Sequence, residues 1–90
     1  PLHTMQASFK VFELCKAMAE EGNPNSVSDA GVGVLAARAA VLGAGLNVKI
    51  NASGLKDRET ADKLVSEANE LIKKANELEA EIMKIVEDKL

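Results

Sequence analysis

Apolar residues recur along this chain in distinct rhythms, and each rhythm predicts a helix. From Asp57 to Asp88, Ala61, Leu64, Ala68, Leu71, Ala75, Leu78, Ile82 and Ile85 follow alternating spacings of three and four, which puts them on one stripe of an α-helix. Val65, Ile72 and Val86 widen the stripe, as a bundle-facing helix requires and a narrow two-stranded zipper does not. Glu59 with Lys63, and Glu70 with Lys74, form favourable pairs four residues apart on the outside. From Thr4 to Glu21 two neighbouring stripes appear: Met5, Phe9, Phe12, Cys15 and Ala19 beside Ala7, Val11, Leu14 and Met18. A face that wide predicts contact with more than one helix.

Between them lies a run without an obvious polar side. From Ala30 to Val48 the only charge is Arg38, and Ala, Gly, Val and Leu make up most of the rest. The run approaches the length of a membrane span. A lone arginine near its centre would be costly in hydrocarbon, and its neighbours are charged and amphipathic, so a helix buried on most sides of a bundle is the better reading. Four interior glycines, Gly31, Gly33, Gly43 and Gly45, each cost about 0.5–1 kcal/mol against alanine in a helix. They persist where another backbone or a flat ligand comes close, and helix packing is the commoner of the two reasons. Gly33, Ala37, Ala40 and Ala44 read as a small-residue seam. Asn47-Val48-Lys49-Ile50-Asn51 alternates like a strand, but no partner strand is available, and the helix is expected to run to about Ala52.

Two turn clusters separate the segments. Gly22-Asn23-Pro24-Asn25-Ser26 is dense in turn formers, and in Ser53-Gly54-Leu55-Lys56-Asp57 the glycine can end one helix and the aspartate cap the next. Neither is long enough for an interdomain linker. The expected fold is all-α: three helices in up-down order with a long C-terminal helix that extends beyond the others. More apolar surface is present than three helices can bury, so completion by self-association is expected. Residues 1–90 form a single helical domain or the C-terminal portion of a larger one, and the opening Pro1 fits a processed product or a piece of something longer.

Composition removes several functions. The net charge is -3 and only 2% of residues are aromatic, which argues against binding a phosphate backbone or stacking on bases. A single cysteine, Cys15, and the lack of a visible secretory signal point to the cytoplasm. His3 is the only histidine and has no ligand-spaced partner, so no metal site is expected. Gly31-Val32-Gly33 and Gly43-Ala44-Gly45 lack the spacing and the preceding strand of a nucleotide loop. Ten of the fourteen acids lie from Asp57 onward, which reads as a solvated helix face.

Chemistry is left to the start of the middle helix and its far end. Ser26 or Ser28 is a plausible N-cap, with Asp29 in the first turn facing the positive helix end. Capping accounts for Ser28 and Asp29. Yet Asn23, Asn25, Ser26 and Ser28 crowd one helix entry, and amides with a carboxylate there can also read the edge of a heterocycle. Arg38 lies too far along the axis to pair with Asp29, so its partner is a carboxylate on another helix or subunit, or an anionic ligand. Asn47 and Asn51 share one face at the far end.

Taken in order, Gly22-Asn23-Pro24-Asn25-Ser26-Val27-Ser28-Asp29-Ala30-Gly31-Val32-Gly33, Ala37-Arg38-Ala39-Ala40, Gly43-Ala44 and Leu46-Asn47-Val48-Lys49-Ile50-Asn51 resemble the cyclodeaminase family. That family includes formimidoyltetrahydrofolate cyclodeaminase and methenyltetrahydrofolate cyclohydrolase. The resemblance runs through essentially the whole chain and matches the C-terminal half of a longer domain. It implies an all-helical, dimer-forming protein that takes a tetrahydrofolate derivative as substrate and uses no metal or redox cofactor. It implies Asp29 as a pterin-orienting or proton-handling residue, with Asn25, Ser28, Arg38, Asn47 and Asn51 as substrate-binding positions. A second copy, or the missing half, would have to complete the pocket. The contrasting reading is a helical dimerisation or interaction module without catalysis.

Overall fold

A computed structural model describes residues 2–90 and contains three helices: α1 (Leu2–Glu21), α2 (Pro24–Ser53) and α3 (Arg58–Lys89). They run up, down and up in a rod measuring 51 × 15 × 14 Å. The fold is all-α, as the periodicity predicts. α2 packs against both neighbours, and α1 also touches α3.

The core is a stack of small and medium side chains. α3 contributes Ala61, Ala68, Ala75 and Ile82, one every seventh residue, together with Val86. Leu64, Leu71, Ile72, Leu78 and Ile85 close around them half-buried. α1 contributes Met5, Phe12, Cys15 and Ala19, with Phe12 the largest fully buried side chain. Lys74 reaches across from α3 to lie 5.2 Å over the Phe9 ring. Of the second α1 stripe only Met18 packs against the core; Val11 is 43% and Leu14 60% exposed.

α2 buries Val27, Ala30, Gly31, Val34, Ala37, Val41, Ala44, Gly45, Val48 and Ala52. This inner stripe repeats at threes and fours, and it replaces the expected seam, since Ala40 is exposed and Gly33 only half-buried. The expectation of a helix buried on most sides is also corrected. Two neighbours cover one side of a cylinder, and the other side of α2 stays open, with Val32 and Ile50 each 68% exposed. α3 does not project far past its neighbours either. α2 and α3 have 30 and 32 residues, and α1, with 20, is the short one.

Local chemistry fixes the two connections. Gly22 adopts φ 84, a left-handed conformation that suits glycine, and ends α1. Lys89 Nζ donates to the Glu20 carbonyl at 2.8 Å, tying the C-terminal ends of α1 and α3 together. At the other connection Gly54 follows α2 in right-handed geometry. Arg58 Nη2 donates to the carbonyls of Ala52 and Leu55 at 2.7 and 2.8 Å, satisfying acceptors that a helix end leaves free. Asp57 caps α3, as expected, by accepting from the backbone of Glu59 and Thr60.

Candidate functional site

The entry to α2 differs from the sequence expectation by several residues. Asn23, not Ser26 or Ser28, is the N-cap: its Oδ1 accepts from the Asn25 N–H at 3.0 Å. Pro24 follows at the first helical position, where its missing N–H leaves no bond unmade. Ser28 and Asp29 therefore lie beyond the first turn, released from the capping role that would have explained them. Asn25, Ser28 and Asp29 are all exposed.

The structure does not bring the expected site residues together within one chain. Asn47 and Asn51, also exposed, stand about 27 Å and 33 Å from Asp29 at the helical rise. Arg38 is occupied elsewhere. Its Nε donates to Asn76 Oδ1 at 2.7 Å and lies 3.8 Å from Glu79 Oε2, so its partner is on another helix, α3. Sequence reading had no signal for Asn76 or Glu79, which are two polar positions among many on that helix.

Nor does a cavity unite them. Depressions of about 420 Å³ (Glu70, Leu71, Lys73, Lys74, Glu77), 350 Å³ (Gln6, Ser66, Glu67, Glu70, Leu71) and 200 Å³ (beside Lys49 and Arg58) involve none of the six. Three of the four α2 glycines serve packing. A β-carbon on Gly31 would stand 3.3 Å from Val86, on Gly33 2.8 Å from Cys15, and on Gly45 2.9 Å from Ile72 and 3.3 Å from Met5. Gly43 is the exception, for a β-carbon there meets nothing within 4 Å.

The electrostatics point to structure more than to an activated group. Burial pushes the Cys15 thiol above its usual range, the opposite of what a nucleophile needs. The side chain and backbone of Thr60 hold the Asp57 carboxyl below its usual range, in keeping with its cap. The Glu81 carboxylate, 2.7 Å away, raises Lys16. Among the described residues no cluster of histidine, cysteine and carboxylate is placed to hold a metal ion.

The feature that residue-by-residue reading missed is the outer face of α2. Val32, Leu35, Ala39, Leu46 and Ile50 run down it with no charge among them, and Leu35 and Leu46 are 48% and 63% exposed. Its signal in the sequence was the lack of any polar side between Ala30 and Val48. Asp29, Asn47 and Asn51 lie along one flank of this face, on the side toward α1.

Residues 1–70 match the C-terminal domain of the formiminotransferase-cyclodeaminase family. Among curated proteins, the methenyltetrahydrofolate cyclohydrolase of Methylorubrum extorquens is 40% identical over all 90 residues, which cover 43% of its own length. The formimidoyltransferase-cyclodeaminase of Dictyostelium discoideum is 34% identical over 89 residues, 17% of its length. The chain thus spans less than half of either relative. No solved structure matches it.

Proposed function

Because this chain belongs to the formiminotransferase-cyclodeaminase family, we propose that it supplies the C-terminal helical part of a cytoplasmic enzyme of folate one-carbon metabolism. The substrate is a tetrahydrofolate bearing a one-carbon bridge, and the reaction is hydrolysis of the 5,10-methenyl bridge. The observation that carries this is the end-to-end 40% identity to a protein named methenyltetrahydrofolate cyclohydrolase. Ring closure with ammonia release is the second reading, favoured by the name of the relative at 34%. Both relatives carry enzyme names, which disfavours a purely associative helical module.

The chemistry makes modest demands. The methenyl carbon is held between N5 and N10 in a cationic amidine-like ring, so it is already electrophilic. Water adds there, loses a proton, and the bond to N5 breaks as that nitrogen is protonated, leaving the 10-formyl compound. A carboxylate beside the ring can accept the proton from water and help return one to N5, while fixed amides orient the pterin. Asp29 takes the carboxylate role in this proposal. Asn25, Ser28, Asn47 and Asn51 take the orienting roles, whereas Arg38, half a turn round α2 from Asp29 and held by α3, takes none. No step requires a metal or a redox cofactor.

Two measurements test this on the full chain. Titration with 5,10-methenyltetrahydrofolate should raise thermal stability, by about 2.7 kcal/mol at a hundredfold over Kd. Asp29→Asn should slow loss of the methenyl chromophore by about a hundredfold or more, within the range for removing a general base. Unaltered folate affinity and rate in that variant would remove Asp29 from the site.

A further inference from the structure

The C-terminal end of α3 rests on the entry to α2 and makes contact there at two levels. The buried Val86 lies over Gly31, where a β-carbon would stand 3.3 Å from its Cγ1 and 3.9 Å from the Met83 sulfur. One turn later Lys89 Nζ donates to the Glu20 carbonyl at 2.8 Å. A β-carbon on Gly22 would stand 3.4 Å from the same Nζ. Met83, Val86 and Lys89 follow one another at spacings of three, so one side of α3 carries all three contacts.

Glu20 belongs to the last turn of α1, where carbonyls have no partner within the helix and a cation suits the end of the dipole. Only Gly22 and Asn23 separate α1 from α2. Gly22 takes φ 84, and the Asn23 side chain accepts from the Asn25 N–H at 3.0 Å. A shift of the Glu20 carbonyl is therefore passed through this short turn to Asn25, and along a continuous helix to Ser28 and Asp29. The Lys89 bond is exposed and adds little to stability. Placement is more sensitive, because a site responds to displacements of about 1 Å.

We propose that Lys89 is a positioning residue. By holding the end of α1 it sets the direction in which α2 begins, and with it the placement of Asn25, Ser28 and Asp29. Val86 against Gly31 fixes the depth of the α2 entry, and Lys89 on Glu20 fixes the turn that leads into it. Lys89 acts through the Glu20 carbonyl and the Gly22–Asn23 turn and handles no proton of the reaction. That the positioned residues take a folate rests on the reading above; the clasp itself does not.

Two variants of the full chain test this. Lys89→Met keeps an apolar stem and removes the donor, whereas Lys89→Arg keeps both a cation and a donor. In amide NMR spectra the signals of Asn25, Ser28 and Asp29 should move in Lys89→Met and return toward wild type in Lys89→Arg. Those of Asn47 and Asn51, at the far end of α2, should stay in place. The Kd for 5,10-methenyltetrahydrofolate should rise about threefold to tenfold in Lys89→Met, and Lys89→Arg should recover most of the loss. The pH profile of methenyl hydrolysis should keep its shape in both. Signals of Asn25, Ser28 and Asp29 indifferent to Lys89→Met would overturn the clasp. So would a Lys89→Arg variant no better than Lys89→Met. An unaltered Kd in Lys89→Met, where wild type binds, would overturn the positioning role. Moved and rescued signals without folate binding by wild type would support the clasp and refute the folate reading.

Discussion

α2 and α3 are nearly equal in length and lie side by side, yet they are built on opposite plans. α3 keeps its apolar residues on one stripe and covers the remainder with charge, so a single pair of neighbours satisfies it. α2 carries an inner stripe just as regular, and its opposite side is apolar too. A helix that is apolar all round belongs in an interior. The comparison shows that α2 has sequence for more neighbours than this chain provides, whereas α3 does not.

The two sides of α2 can be separated by placing the same charge on each. Val34 is fully buried on the inner stripe. Val34→Asp strands a carboxylate without a partner and should cost more than about 3 kcal/mol. That is a large share of the roughly 5–13 kcal/mol expected for a domain of this length. Val32→Asp, two residues away on the outer face, should change the stability of the isolated chain by less than about 0.5 kcal/mol. Urea denaturation of both variants at low protein concentration decides the matter, and equal losses would mean that the outer face is not open.

The glycines sharpen the same contrast at smaller scale. At Gly33 a β-carbon would press on the buried Cys15 sulfur at 2.8 Å. Crowding of about 1–3 kcal/mol there outweighs the gain in helix propensity, so Gly33→Ala should lose about 1 kcal/mol. At Gly43 nothing is crowded, and Gly43→Ala should gain about 0.5–1 kcal/mol in the monomer. Opposite signs in thermal melts of the dilute chain are expected. A loss at both positions would place Gly43 in the packed interior.

The fold was legible because its signals are local and redundant. The stripe of Ala61, Ala68, Ala75 and Ile82 announces both the helix and its buried side, and Gly54 and Asp57 mark a boundary to within a residue. The entry to α2 is ambiguous in sequence because Asn23, Asn25, Ser26 and Ser28 can all cap, and Pro24 at the first helical position decides for Asn23. The inner stripe of α2 was hidden because its outside is apolar as well, so periodicity had no polar face to contrast with. The Arg38–Asn76 bond joins residues 38 apart in sequence, a pairing that no local pattern encodes. The six site residues were chosen by chemistry and by resemblance, neither of which carries distances.

The least disruptive comparison concerns the caps. α2 begins under an amide, Asn23, and α3 under a carboxylate, Asp57, so only the second can be weakened by acid. Bonds from the Thr60 side chain and the Thr60 and Glu59 backbone hold the Asp57 carboxyl below its ordinary value of 3.8. A group whose folded value is depressed stabilises the fold above its unfolded value and loses that contribution as pH falls through the folded one. Asp57→Asn keeps an acceptor for the backbone but does not titrate. Wild type should therefore be the more stable at neutral pH, where the negative charge also suits the helix N-terminus. Its advantage should shrink as the pH drops below about 4, and denaturation midpoints of the two proteins measured in parallel isolate this one carboxyl from the others. Identical pH profiles would show that the charge at the start of α3 is incidental, and that α2 and α3 are capped in the same way after all.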